Sequence, residues 1–295
     1  MIVVGEKMNI MSKTIGPAMK GREAKPIQEL AKAQAEAGAD YLDLNLGPAR
    51  KAGAEMMEWV VKTIQEVVDL PLFLDTTNVE AMEAGLKCYQ NKRGKAVINS
   101  VSARPERMEA LLPLAKRYNA GIVALLLGVE GIPRDAAERG SLAAELMYKA
   151  QESGIANEDI WVDPIVLPVN TQQNQVQGCT EFMTMFKDLA PECRSTCGLS
   201  NVSNGSPEHL RPILNQAYMI MLQKYGMYSC ILDPFDEGMM KIAKGGKEDI
   251  VKLIYRVMDG EEIDLGSLSK EEVDFVKTTK VLLGQSLYSD SWLEI

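Results

Sequence analysis

The sequence predicts an α/β fold, a single (β/α)8 TIM barrel. Three observations lead there: eight short apolar runs that stop abruptly, helix-spaced apolar stripes between them, and a length of 295 residues. Short apolar runs without polar alternation suit strands buried on both faces, as parallel strands are beneath their crossover helices. Eight such units in about 250 residues are what a (β/α)8 barrel requires.

Ile2-Val3-Val4-Gly5 stops at Glu6, Tyr41–Leu44 at Asn45, Leu72-Phe73-Leu74 at Asp75, and Ala96-Val97-Ile98 at Asn99. Ile122–Leu127 runs into Gly128, Ile160-Trp161-Val162 stops at Asp163, Thr196–Leu199 at Ser200-Asn201, and Cys230-Ile231-Leu232 at Asp233. Between them, Met57, Val60, Val61, Ile64, Val67 and Val68 form one helical stripe, and Met108, Leu111, Leu112, Ala115 and Tyr118 form another. After Asp236 the organisation changes. Lys241–Lys247 is rich in Lys and Gly, a helical pattern spans Ile250–Met258, and Asp259-Gly260-Glu261-Glu262 ends it. Ser269 and Glu272 then form a capping box before a last helix expected to reach about Tyr288. The chain reads as one domain, residues 1–295, with an insertion at about 241–275 in its last βα unit. Insertions after barrel strands are expected near the mouth or its rim, within reach of a partner.

In this fold chemistry sits at the C-terminal ends of the strands. Glu6, Asn9, Asn45, Asp75, Asn78, Asn99, Asp163, Asn201 and Asp233 are therefore expected to ring one mouth. Asp and Asn also follow strands as turn formers and helix caps. Asn78, just before a helical stretch, reads as a cap, and Asn9, Asn45 and Asp233 are open to either role. Asp75, Asn99, Asp163 and Asn201 abut their strands directly and read as functional.

A formal charge of −9 without clustered Lys and Arg disfavours nucleic acid as a partner. No run reaches membrane-spanning length and the chain opens into a strand, so a cytoplasmic protein with no membrane partner is expected. The five cysteines show no disulfide spacing, and Cys193 and Cys197 read as small buried hydrophobes. With His209 its one histidine, in a loop, the chain has neither a His-rich zinc site nor a Ser-His-Asp triad.

A mouth lined by Asp and Asn and nearly without Lys, Arg or His suits a neutral, flat heterocycle with several N–H donors. The 2-amino-4-oxo edge of a pterin presents adjacent N–H groups to a carboxylate, and a carbonyl to a carboxamide.

Six segments, in order, carry a specific resemblance: Gly5-Glu6-Lys7-Met8-Asn9, Leu42–Pro48, Leu74–Asn78, Ile98-Asn99-Ser100, Val162-Asp163-Pro164 and Gly198–Ser203. Together they resemble the pterin-binding methyltransferases, and within these the methyltetrahydrofolate:corrinoid/iron-sulfur protein methyltransferases. The resemblance covers nearly the whole chain. It implies a barrel of the pterin-binding type in which Asp75, Asn99 and Asp163 hold the pterin, with Glu6 and Asn9 at the same mouth. Asn201 is then the catalytic residue, beside the methyl-bearing nitrogen. It further implies methyltetrahydrofolate or tetrahydrofolate as substrate, a corrinoid supplied by a separate corrinoid protein, no directly bound metal, a place in one-carbon metabolism and a homodimer. Asn204 stands where compact members carry a glutamine, and Arg211 matches the family's arginine across a longer Gly205–Leu210 loop. No single strong general acid is visible, so Asn201 reads as an orienting donor.

Two rivals share the pocket. A dihydropteroate synthase needs a cationic clamp for pyrophosphate at the last strand, where this chain has Asp233-Pro234-Phe235-Asp236-Glu237. A non-catalytic pterin or folate binder lacks a reason for Asn201 in register. A self-contained cobalamin enzyme uses an Asp-x-His-x-x-Gly motif, and His209 is not in one.

Overall fold

The computed structural model describes residues 1–49 and 52–294. Its elements run β1 (Ile2–Asn9), α1 (Ile15–Gly21), α2 (Ala24–Glu36), β2 (Tyr41–Gly47), α3 (Gly53–Gln65), β3 (Leu72–Thr76), α4 (Val79–Cys88) and β4 (Val97–Ser102). They continue with α5 (Pro105–Tyr118), β5 (Gly121–Leu125), α6 (Ala136–Glu152), β6 (Ile160–Asp163), α7 (Val169–Leu189), β7 (Arg194–Ser195), α8 (Arg211–Lys224) and β8 (Ser229–Leu232), then α9 (Glu237–Ala243), α10 (Glu248–Met258) and α11 (Lys270–Leu282). From β1 to β7 each strand pairs in parallel with the next in sequence, and β8 pairs in parallel with β1. A bridge between Gly198 and Ile231, with the Ile231 N–H donating to the Cys197 carbonyl at 2.8 Å, closes the ring. The fold is therefore the expected (β/α)8 barrel.

Side chains alternate along a strand, so every second residue points into the barrel. Val4, Phe73, Val97, Val123 and Trp161 form one buried interior cluster, with Tyr41 and Ile231 packed against it. Tyr41, Phe73 and Trp161 meet edge to face, at centroid distances of 5.2 to 5.5 Å. This layer seals the barrel floor. The other faces of the strands supply the large outer core against the helices.

Three segments differ from expectation. The seventh strand, expected at Thr196–Leu199, is Arg194–Ser195, and a 3-10 turn already occupies Leu199–Ser203, where Ser and Asn favour turning. The last helix stops at Leu282 rather than near Tyr288, because Gly284 takes a left-handed φ of 72°. The insertion expected at the mouth reaches instead to the opposite end. There the Ala243 carbonyl accepts the Met1 ammonium at 3.0 Å and Lys244 pairs with Asp40 at 3.2 Å, beside the starts of β1 and β2. The capping box of Ser269 and Glu272 is present as expected.

Candidate functional site

Two residues beyond the apolar floor, the same inward faces carry Glu6, Asp43, Asp75, Asn99, Leu125, Asp163 and Asp233. One step of the strand period thus converts a sealed hydrophobic layer into a polar mouth with five carboxyl groups. Asp75 and Asp163 lie at the same end of the barrel.

Three strands break register at this end. Between the pairs Gly5–Leu42 and Met8–Leu44, β1 has two residues where β2 has one, so Glu6 and Lys7 form a bulge. Gly5 makes this possible. A Cβ there would stand 2.6 Å from Gln34 Oε1, and that oxygen accepts the Lys7 N–H at 3.1 Å. The bulge sends Glu6 to Ser200, whose Oγ donates to its carboxylate at 2.9 Å, and Lys7 to an ion pair with Asp233. Register also shifts at Leu46 in β2 and at Asn99-Ser100 in β4.

The polar layer is bonded internally. Asn45 donates to Asp75, and Asn99 Nδ2 donates to Asp43 Oδ1 at 3.0 Å. Asp163 Oδ1 accepts the Ile165 N–H at 2.8 Å, holding Ile165 at a left-handed φ of 65°. The fully buried Arg139 fastens that turn, its Nε donating to the Pro164 carbonyl at 2.9 Å and an Nη to Gln175 at 2.8 Å.

Burial disfavours the charged form of a carboxyl group. It pushes Asp75 and Asp163 up to about 7. Asp43 rises well above the usual carboxylate range through burial and then the neighbouring Asp75, against the Asn99 bond. Glu6 is also raised by burial, against lowering by Ser200 and Lys7. The mouth can therefore accept paired N–H donors and retain protons near neutral pH.

Asn201 stands exposed in the turn after β7, its Oδ1 accepting from Asn204 Nδ2 at 3.1 Å. Arg211, at the start of α8, donates to Ser203 Oγ at 3.2 Å, and Ser203 Oγ donates to the Ser200 carbonyl at 3.2 Å. The longer loop therefore still delivers Arg211 to the network that includes Glu6. Asn9 Oδ1 accepts the Met11 N–H at 2.8 Å, a turn former's bond. Asn78 caps α4 through the Ala81 N–H at 2.9 Å, as expected. His209 is exposed.

Sequence reasoning passed over Asp43, because it lies inside a run read as apolar and not at its end. The signal was available, since Asp43 is two residues from the inward Tyr41. The expectation of a mouth nearly without cations is also corrected. Lys7 enters through the bulge, and Arg104 and Arg107 stand at the start of α5, where they read as helix residues. The three acids at the last strand are less exposed as charges than expected, because Asp233 is paired with Lys7 and Asp236 caps α9 through the Met239 N–H at 2.9 Å.

A cavity of about 290 Å³ opens from Asp75, Asn99 and Leu125 outward to Arg104, Glu106 and Arg107. A larger cleft of about 600 Å³ lies beside it between the Gly128–Pro133 loop and α6, lined by Val129, Ile132 and Leu142 together with Glu130, Glu138 and Glu145. Only the first includes the inward carboxyl layer.

Over 242 residues the chain is 29% identical to methylcorrinoid:tetrahydrofolate methyltransferase of Eubacterium limosum, covering 81% of this chain and 88% of that protein. It is 28% identical to methionine synthase of Mycobacterium tuberculosis over 78% of this chain but only 20% of that longer protein. Dihydropteroate synthase of Thermus thermophilus in complex with 6HMPPP shares the fold, with a TM-score of 0.61 at 18% identity over 82% of this chain and 92% of that one. That of Xanthomonas albilineans in complex with 7,8-dihydropteroate gives 0.58 at 16% identity, covering 88% and 94%. Residues 11–233, from just after β1 to the last strand's terminal Asp233, match the pterin binding enzyme family, and the chain belongs to it.

Proposed function

We propose that this protein is a methyltransferase that moves a methyl group between tetrahydrofolate and a corrinoid carried by a separate protein. The observation that carries the reading is the polar layer itself. Asp75, Asn99 and Asp163 present two carboxyl groups and a carboxamide suited to the N–H and carbonyl edge of a pterin, and Asn201 stands outside them with an amide donor to offer. The likeness to a methylcorrinoid:tetrahydrofolate methyltransferase over most of both chains supports the same choice.

In the direction away from folate, the bond from nitrogen to methyl carbon breaks as that carbon bonds to cobalt(I). The electron pair returns to nitrogen, which takes a proton. A tertiary amine is a poor leaving group, so a donor that strengthens as nitrogen gains electron density accelerates the step. Asn201 is assigned that role as an orienting donor. Glu6 and Asp43, raised by burial, are groups able to hold the proton it cannot supply.

Several exposed apolar side chains stand around the mouth: Met11 at 84%, Val129 at 68% and Phe235 at 45% exposure. An apolar rim around a polar pocket suits a second protein that lays a corrinoid over the opening. Lys7, the cation beside the last strand, is engaged by Asp233, which supports a transferase over a pyrophosphate-expelling synthase.

A single-turnover assay tests the reading. Methyltetrahydrofolate and free cob(I)alamin should give methylcobalamin in the presence of the protein. Dihydropteroate formed from a pterin diphosphate and p-aminobenzoate, with no methylcobalamin, would overturn it.

A further inference from the structure

Arg139, in the first turn of α6, is a fully buried charge. Among the described residues its partners are all neutral oxygens. Nε donates to the Pro164 carbonyl at 2.9 Å, Nη1 to the Asp135 carbonyl at 3.2 Å and Nη2 to Gln175 Oε1 at 2.8 Å. Burying a charge without a counter-charge is costly, so its place needs a reason. Gly178 of α7 makes room for it, since a Cβ there would stand 3.1 Å from Nη1. The carbonyl that Arg139 grips belongs to the same peptide plane as the Ile165 N–H, and that N–H donates to Asp163 Oδ1 at 2.8 Å. One peptide plane is thus clamped at both ends, by Arg139 on its oxygen and by Asp163 on its nitrogen. The clamp keeps Ile165 at a φ of 65°, where a β-branched residue is strained.

We propose that Arg139 is a positioning residue for ligand binding, fixing the direction of the Asp163 carboxyl at the mouth through the Pro164–Ile165 peptide. The inference rests on the pteridine reading above, because it takes Asp163 as a contact of the ligand. A strained residue persists only where its surroundings over-determine it. Released from Arg139, the peptide turns, Ile165 relaxes to a negative φ and its N–H leaves Asp163. The carboxyl then keeps its chemistry and loses its aim, and a hydrogen bond weakens steeply once donor and acceptor are misaligned. A small-molecule site relies on a few placed polar groups, so the loss of one direction is felt in affinity. The control comes from outside the barrel. Gln175 of α7 accepts from Arg139 and donates to the Arg134 carbonyl at 3.3 Å, which fixes the guanidinium between α6 and α7.

A double-mutant cycle tests it, with the affinity for methyltetrahydrofolate read by calorimetry on Arg139→Met, on Asp163→Ala and on the two combined, each corrected for folded fraction. Arg139→Met should bind about tenfold more weakly than the parent, the worth of one charge-assisted hydrogen bond. In the Asp163→Ala background the same substitution should cost nothing further, because no carboxyl remains to be aimed. Arg139→Lys keeps the charge but not the planar fork, so its affinity should fall between those of the parent and Arg139→Met, and it carries the same cycle if Arg139→Met does not fold. A merely structural Arg139 would lower the melting temperature on replacement and leave the affinity of the folded protein at the parent value. That result, or losses that multiply in the combined variant, would overturn the positioning role while leaving the pteridine site standing. Parent-like affinity in Asp163→Ala would instead remove Asp163 from the pteridine site, and this inference with it.

Discussion

Replacing Asp163 with Asn should stabilise the protein and weaken its ligand binding, and both effects follow from one buried carboxyl. Burial raises the Asp163 carboxyl from its ordinary 3.8 to about 7. Between those values the folded state binds a proton that the unfolded chain has released. Stability therefore falls as pH rises through that window, and the loss is complete above about 7. Three pKa units at about 1.4 kcal/mol each correspond to about 4 kcal/mol. Asn has the same shape, keeps an oxygen for the Ile165 N–H at 2.8 Å, and does not titrate. Asp163→Asn should thus gain on the parent as pH rises, by about 3 kcal/mol between pH 4.5 and pH 8. It should also bind methyltetrahydrofolate at least about tenfold more weakly, because an amide offers one acceptor where a carboxylate offers two. Urea denaturation of both proteins at the two pH values, with calorimetric titration of the ligand, measures each part. Every other titrating group is common to the pair and cancels in the difference. A stability difference that is the same at pH 4.5 and pH 8 would refute the buried-carboxyl argument, whatever its sign.

Three further outcomes follow from the same layer. Asp75→Ala should weaken methyltetrahydrofolate binding by roughly one to two decades, the worth of a charge-assisted hydrogen bond, and unchanged affinity by calorimetry would remove Asp75 from the pterin site. Asn201→Ala should lower the single-turnover transfer rate by about 10²-fold while raising the dissociation constant much less; a rate within a few-fold of the parent, corrected for folded fraction, would mean the residue only shapes its turn. A homodimer is proposed from the frequency of two-fold assemblies, so light scattering should give twice the 32.5 kDa chain mass, and the monomer mass at micromolar concentration would rule it out.

The strands of this barrel were legible because parallel strands are buried on both faces and end where the backbone emerges toward solvent. Leu72-Phe73-Leu74 has no reason to stop at Asp75 except that the barrel does. Asp75, Asn99 and Asp163 could be read for the same cause, as each is the first residue inward beyond the sealed floor. Asp43 could not be read as a terminator, because the floor lies one step lower on β2 and its carboxyl sits within the strand. Bulges defeat strand-end reading in another way. The extra residue at Glu6-Lys7 sends two neighbouring side chains to partners far along the chain, Ser200 and Asp233, and local sequence carries no trace of either contact. Arg104 and Arg107 belong to a helix start whose place over the mouth is set by β4 and β5, not by its own residues.

The structure of the protein with methyltetrahydrofolate bound is the measurement that bears most directly on the central claim. The pteridine edge is expected within hydrogen-bond distance of Asp75, Asn99 and Asp163, with the methyl-bearing nitrogen facing the Asn201 carboxamide and the methyl group toward the open mouth. A ligand found instead in the cleft between the Gly128–Pro133 loop and α6, with the carboxyl layer untouched, would contradict it.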